Sequence, residues 1–258
     1  MLYELRHELY KYRNILGARI SLALEQPPPK KLDFKDSSKR LLPSGRIRNI
    51  PAAFGQRVFL IGSDKTYGIQ SATIIAIVRQ ENSDDVYIAA PVARIFYEPD
   101  IRAALAFDSR LSNADLLCLY EKSCGAVTYT IKNGRILYLL IKNQSGHVGF
   151  PKGHVEYGES ESDTIRREVY EETGLHIKPD LSFREEYNYR LCGIIRKKAV
   201  YGLAQFVSDM PVIIPEEEIR GRWIIPYYDA IKKLNFLNDR RVLEKAHRRI
   251  VRKQNGRD

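Results

Sequence analysis

The sequence predicts a mixed α/β chain of the α+β kind in two parts: a smaller β-rich, barrel-like domain over residues 1–115 and a layered α/β domain over 116–258. Three observations carry that expectation. A length of 258 residues exceeds what one compact domain usually needs. Before Leu111 the chain is a series of short apolar or β-branched runs punctuated by Gly, Pro, Asp and Asn. Beyond Ser123 a hairpin signal is followed by a glycine-rich loop and one long helical pattern. With 44% hydrophobic and 29% charged residues the composition excludes collagen-like, coiled-coil and wholly disordered chains. No apolar run approaches the ~20 residues of a membrane-spanning helix. The early acids of Met1-Leu-Tyr-Glu-Leu-Arg-His-Glu8 argue against a secretory or transit peptide, so a cytoplasmic protein without a membrane partner is expected.

Arg19–Leu24, Arg57–Ile61, Ala72–Val78 and Val86–Ala89 read as strands. Gln26-Pro-Pro-Pro-Lys30 cannot continue a central strand and is expected to be an extended loop or edge. Asn82-Ser-Asp-Asp85 reads as a hairpin turn, and Glu98–Phe107 as a short helix with Pro99 in its first turn. The polar stretch Asp108–Asp115 is the expected domain boundary. In the second part, Cys124–Ile131 and Arg135–Ile141 flank Lys132-Asn-Gly134, a strong hairpin signal. The loop Asn143–Gly158 leads into a helix from about Ser160 to Thr173, stopped by Gly174. Phe183–Tyr189, Ala199–Phe206 and Trp223–Ile225 read as strands, Pro226-Tyr-Tyr-Asp229 opens a helix, and a basic helix closes the chain.

Much of the net charge of +10 lies in the tail from Ile231 to Asp258, through Lys232, Lys233, Arg240, Arg241, Lys245, Arg248, Arg249, Arg252, Lys253 and Arg257, most of it in a basic C-terminal helix. Such a helix is a candidate surface for RNA or a polyanionic substrate. The scarcity of aromatic residues on it favours a solvated face, with Leu234, Leu237, Val242, Ala246 and Ile250 as its buried stripe. Cys118, Cys124 and Cys192 are odd in number and scattered, which argues against a disulfide framework and a thiolate zinc site.

The stretch Gly153–Leu175 carries the chemistry. On a helix from Ser160, Glu168 and Glu172 are four apart and share a face, with Glu171 one turn from Glu168. Three carboxylates on one surface repel each other. They suit a hard divalent cation such as magnesium or manganese, which keeps its waters and bridges to phosphates. Ile165 and Val169 supply the apolar spacing, with Tyr170 partly buried; Ser160 or Ser162 caps the N-terminus, and Arg167 is placed to hold Glu159 across the loop. Glu216-Glu217-Glu218 is an alternative source of a general base, with Glu217 at its centre, or a solvated acidic loop.

Gly153, Glu159, Arg167, Glu168, Val169, Glu171, Glu172, Gly174 and Leu175 fill every fixed position of the pattern G-x5-E-x7-R-E-U-x-E-E-x-G-U, where U is bulky and aliphatic. The segment therefore resembles the Nudix box. The resemblance implies an αβα sandwich with a mixed sheet and magnesium-dependent hydrolysis of a nucleoside diphosphate linked to another moiety. It implies that Glu168 and Glu172 hold metal, that Glu171 holds metal or helps activate water, and that the Gly153 carbonyl adds a ligand. Glu159 and Arg167 would stabilise the loop and helix.

Flanking residues narrow the resemblance. Gly125-Ala-Val-Thr-Tyr129, Leu139-Leu-Ile-Lys142, His147–Glu156, Phe183–Tyr189 and Lys197–Ala204 are similar to the diadenosine tetraphosphate hydrolases of the Nudix group. That similarity implies polyphosphate contacts by His147, Lys152 and one of Lys197 and Lys198, and a nucleotide pocket near Tyr189 and Tyr201. It implies asymmetric cleavage to ATP and AMP. Removal of pyrophosphate from RNA 5′ ends, hydrolysis of another nucleoside-diphosphate derivative, and a non-catalytic nucleotide-sensing or RNA-binding module are the alternatives. In the first part, Leu16–Arg19, Ile74–Val78, Val86–Pro91 and Tyr97–Leu105 faintly resemble inorganic-pyrophosphatase-like barrels. The close-set aspartates of that family are missing, Asp84-Asp85 being a poor substitute. A small barrel for binding or homodimerisation, without pyrophosphatase activity, is the expectation.

Overall fold

The computed structural model describes residues 9–25, 42–64, 68–80, 83–207 and 219–256. It divides into two compact units, Met1–Glu121 with Tyr189–Lys197, and Lys122–Asn188 with Lys198–Asp258. The expected loop at Gln26–Lys30 and the acidic run at Glu216–Glu218 lie outside the described residues.

In the first unit, β1 (Arg19–Glu25), β2 (Ser44–Ile47), β3 (Arg57–Leu60), β4 (Gly68–Arg79) and β5 (Val86–Pro91) form a closed ring in the order β1-β2-β3-β5-β4, with β4 returning to β1. The β3–β5 pairing is parallel, whereas β1–β2, β2–β3, β4–β5 and β1–β4 are antiparallel. This is the five-stranded Greek-key barrel of the OB kind. Closure leaves few free edges. Leu22, Ile47, Val58, Ile74 and Ala89 share the inner face and fill the interior. Gly45 sits where a Cβ would meet the Ala23 carbonyl oxygen at 2.3 Å, so β1 and β2 approach more closely there than any side chain permits.

Helix α1 (Glu98–Ala104) carries Pro99 in its first turn, with the Asp100 carboxylate accepting from the Tyr97 amide, and it buries Ile101. The stretch expected to be a boundary instead forms α2 (Ser109–Ser112) and β6 (Asp115–Cys118). Strand β6 pairs with β4 from Arg79↔Asp115 to Ala76↔Cys118, and Leu111 is buried. Polar residues at the surface of this stretch concealed the apolar ones that fasten it to the barrel.

The second unit is built on β7 (Tyr120–Lys132), β8 (Arg135–Asn143), β9 (Val148–Gly149), β10 (Lys152–His154), α3 (Glu161–Thr173), β11 (Asp180–Leu191), β12 (Ile195–Gln205), β13 (Ile219–Pro226), α4 (Tyr227–Lys233) and α5 (Leu237–Gln254). The sheet order is β11-β12-β7-β8-β13, with β10 on β7 and β9 on β8. Asn133 and Gly134 both take positive φ, the conformation of the tight turn between β7 and β8. Side chains alternate along the central strands. Cys124, Ala126, Leu139, Val200 and Ala204 pack with Ile165 and Val169 of α3. Val127, Tyr129, Tyr138, Leu140 and Tyr201 pack on the other face with Ala230 of α4 and Val242, Leu243, Ala246 and Ile250 of α5. Helices thus cover both faces of one sheet, an αβα sandwich.

The stripe of α5 departs from expectation at one end. Leu237 is 60% exposed, whereas Asp239 is 3% exposed and points inward. Cys118, Cys124 and Cys192 are free thiols, and burial pushes that of Cys124 up to about 12. Among the described residues no helix is long and apolar enough to cross a membrane.

Candidate active site

Helix α3 organises the site. Ser160 caps its start: the Asp163 amide donates to the Ser160 hydroxyl and the Asp163 carboxylate accepts from the Ser160 amide at 3.0 Å. Gly174 ends it with φ of 69°, and its amide donates to the Tyr170 carbonyl at 2.7 Å. Burial of Ile165 and Val169 on the sheet fixes the rotation of the helix, which carries Glu168, Glu171 and Glu172 on another face. Tyr170, thought to be partly buried, is half exposed and stacks on His176 with centroids 4.4 Å apart.

One guanidinium ties the acidic residues together. Arg167 donates through Nε and Nη2 to Glu159 at 2.7 and 2.9 Å, and through Nη1 to Glu168 at 2.8 Å and Glu171 at 3.0 Å. Its Nη2 also donates to the His154 carbonyl at 2.8 Å, joining α3 to the end of β10. This is the fork geometry that arginine supplies and lysine does not. Two carboxylates on the same cation respond in opposite directions. Arg167 above all, with the Glu156 amide and the Thr164 hydroxyl, draws Glu159 down to about 2. Glu168 is raised because its burial outweighs the same cation.

Gly153 lies directly beneath Glu168. A Cβ at residue 153 would fall 2.1 Å from the Glu168 carboxylate, so only glycine lets β10 pass this close. The next strand residue, Lys152, donates its amide to Glu172 at 2.8 Å. Around this glycine the fold gathers Glu159, Arg167, Glu168, Glu171 and Glu172. Among the described residues no three His, Cys, Asp or Glu side chains already stand ready to enclose an ion. Glu168 and Glu171 are turned to Arg167, and Glu172 to the Lys152 amide. The donors on offer are carboxylate oxygens in excess of the single cation among them, a chemistry that fits a hard divalent ion.

The NUDIX domain matches residues 120–245. The rat bis(5′-nucleosyl)-tetraphosphatase [asymmetrical] is 29% identical over 141 residues, 49% of this chain and 92% of the rat protein. The Sus scrofa protein of the same name is 30% identical over 138 residues, again 49% of this chain and 92% of the relative. The chain belongs to the Nudix family. It is a Nudix pyrophosphohydrolase whose box occupies β10, the following loop and α3. Among solved structures, a Caenorhabditis elegans Ap4A hydrolase binary complex is 26% identical, covering 51% of this chain and 98% of that one, with a TM-score of 0.48.

The residues expected to bind substrate differ in their surroundings. Tyr201 is fully buried, its ring edge-on to Phe150 at 5.5 Å and its hydroxyl donating to Asp239 at 3.2 Å. It therefore has no free face on which a base can stack, and the assignment of Tyr201 to the nucleotide pocket is corrected to the core. Lys198 pairs with Glu186 at 3.3 Å. Tyr189 and Lys197 fall in the segment that belongs with the first unit, where Lys197 pairs with Glu121 at 2.7 Å. His147 is exposed on the loop after β8 and lies against Phe236 at 5.0 Å. Glu217 lies outside the described residues.

Sequence reasoning missed two residues. The Tyr187 hydroxyl donates to the buried Asp239 at 2.7 Å, beside the bond from Tyr201. Lys152 of β10 faces this carboxylate electrostatically, and a Cβ on Gly149 of β9 would lie 3.6 Å from it. An acid amid the apolar stripe of a basic helix was the available signal.

Proposed function

We propose that this protein hydrolyses dinucleoside polyphosphates with a divalent metal ion, magnesium or manganese, cleaving diadenosine tetraphosphate asymmetrically to ATP and AMP. The observation that carries the reading is the gathering of Glu168, Glu171 and Glu172 around Gly153, in a unit that spans 92% of relatives named for this reaction. Glu168, Glu171, Glu172 and the Gly153 carbonyl would hold the metal. When bound, the ion neutralises phosphate oxygens and acidifies water, the two needs of anhydride hydrolysis.

The chain's own residues do the rest. Arg167 keeps Glu159 ionised and fixes Glu168 and Glu171 on the helix surface, so the carboxylates are in place before substrate arrives. Glu171 is the most solvent-accessible of the three carboxylates that would hold metal and is suited to take a proton from the attacking water. Lys152, at the start of β10, and His147, on the loop after β8, would meet the outer phosphates. Tyr170 and Phe236 are exposed rings at the margins of α3 and α5.

The test is turnover of a panel of dinucleoside polyphosphates, ADP-ribose, NADH, deoxynucleoside triphosphates and 5′-triphosphate RNA by the full chain with magnesium, with products separated by anion-exchange chromatography. Equal amounts of ATP and AMP from diadenosine tetraphosphate, lost in Glu171→Gln and Glu172→Gln, are expected. Two molecules of ADP, or a clear preference for the RNA, would overturn the substrate assignment.

A further inference from the structure

The barrel unit carries a cavity and a row of arginines that Nudix chemistry does not use. The cavity measures about 720 Å³ and is lined by Arg57, Phe59, Gln80, Val86, Phe107 and Arg110 among others. That is within the ~300–1,000 Å³ of typical small-ligand clefts. Its origin is local. Arg57 and Phe59 are two apart on β3 and share the outer face of the barrel. Phe107 covers Phe59 edge to face at 5.6 Å, and the Arg57 guanidinium lies 4.6 Å from the Phe59 ring centre. Among the described lining residues the carboxylate is that of Asp108, which Arg110 engages at 2.8 Å and Arg57 faces.

The positive charge continues beyond the cavity. In the β2–β3 register Arg46 stands directly across from Arg57, and both are exposed. Arg46 Nη1 donates to the Gly55 carbonyl at 2.9 Å, which keeps its head beside the hairpin, and the connection adds exposed Arg48 and Phe54.

We infer that this surface binds single-stranded nucleic acid, with one base in the cavity against Phe107 and the flanking phosphates on Arg57 and Arg46. Aromatic rings accept any base by its face, and guanidinium forks hold phosphate oxygens. A duplex keeps its bases stacked and cannot fill the cavity. A mononucleotide would use the cavity and Arg57 but leave Arg46 idle, so the extended charge row favours a strand. OB-type barrels use the β2–β3 face for oligonucleotides, but the assignment rests on these side chains rather than on the fold.

The test is fluorescence anisotropy of the full chain with a 5′-labelled oligouridylate of about 12 nucleotides, in the range of single-strand site sizes. EDTA is present so that no turnover consumes the probe. Saturable binding that weakens with salt is expected. Arg46→Ala with Arg57→Ala lowers the slope of log K against log salt by about 1.4, at ~0.7 per phosphate contact, and weakens binding at least about tenfold at low salt. Phe107→Ala weakens binding about tenfold with the slope unchanged. If that variant melts early by circular dichroism, Phe107→Leu keeps the apolar fill, lacks the stacking face and carries the same expectation. AMP at the concentration of the strand does not compete. The proposal is overturned by absence of binding, by wild-type binding in the double arginine variant (which would move the strand to the basic α5), or by displacement of the strand by equimolar AMP. Nudix turnover of the arginine variants stays at the wild-type level, so this test and that of the catalytic reading fail independently.

Discussion

Gly153 and Glu168 are in direct contact, with no room between the glycine backbone and the carboxylate for a single methyl group. Gly153→Ala must therefore displace either β10 or the Glu168 side chain. The strand is held by its pairing to β7 at Gly153↔Cys124, so the side chain moves. A displacement near 1 Å of a positioned group costs about 100-fold in rate. We expect turnover of the preferred substrate to fall by about that factor while far-UV circular dichroism stays unchanged. Wild-type turnover in the alanine variant would show that Glu168 does not act from its present position.

Arg167→Lys tests the fork. A lysine reaches one or two of the acceptors on Glu159, Glu168, Glu171 and the His154 carbonyl that the guanidinium now serves together. The side chain is 21% exposed, between the regimes of surface and buried pairs. A loss of about 2 kcal/mol follows. Trp223, the single tryptophan, lies on β13 of the same unit, so its fluorescence during urea unfolding reports this unit without the barrel. An unchanged midpoint would mean that solvent already screens the cluster.

Much of this was legible in the sequence, for a physical reason. The box is read through helical spacing, and Ser160, Gly174 and the Asn133-Gly134 turn are local signals that need no distant partner. What was illegible depends on contacts far along the chain. Residues Ala199–Ala204 of β12 are buried throughout, so no alternation showed which face Tyr201 takes. Asp239 reads as one more charge on a basic helix until Tyr187 and Tyr201, 52 and 38 residues away, turn their hydroxyls to it. The short β2 and β6 carry too few residues for a period, and only their partners β1, β3 and β4 define them.

Glu161, at the first turn of α3, gives a pH prediction. It accepts from Arg184 at 2.6 and 2.8 Å and pairs with Lys122 at 2.8 Å, which ties the helix to β11 and β7. Those cations, Arg184 first, lower its carboxyl from 4.5 to about 2. A carboxyl more acidic in the folded state contributes stability that is complete above about 4.5 and is lost as pH falls through about 2. Allowing for solvent screening of Arg184, the contribution is about 1–2 kcal/mol. Glu161→Gln should lower the Trp223 unfolding midpoint at pH 7 and leave it nearly equal to wild type at pH 2. A gap that persists at pH 2 would mean the glutamate acts through packing rather than charge.

Asp239 is the opposite case. Burial raises its carboxyl above the ordinary value, and the Tyr187 and Tyr201 hydroxyls with the Lys152 charge offset only part of that rise. Below the unfolded value both states are protonated. Above the raised folded value the ionised group opposes folding, so this residue makes the unit less stable as pH rises. Asp239→Asn keeps an oxygen acceptor and removes the charge; it should stay within about 1 kcal/mol of wild type at pH 7 and flatten the pH dependence. Asp239→Leu is of similar size but removes the acceptor of the buried Tyr201 hydroxyl and of the partly buried Tyr187 hydroxyl, at a cost of about 1–3 kcal/mol. The damage would spread along a defined path. Asp239 sits three residues after Phe236, which lies against His147, and four after Asn235, whose side-chain amide oxygen accepts from the Val148 amide. Loosening the start of α5 should therefore raise KM through the His147 loop while kcat, set at α3, changes little. A fall in kcat with KM constant would instead tie Asp239 to the reacting centre.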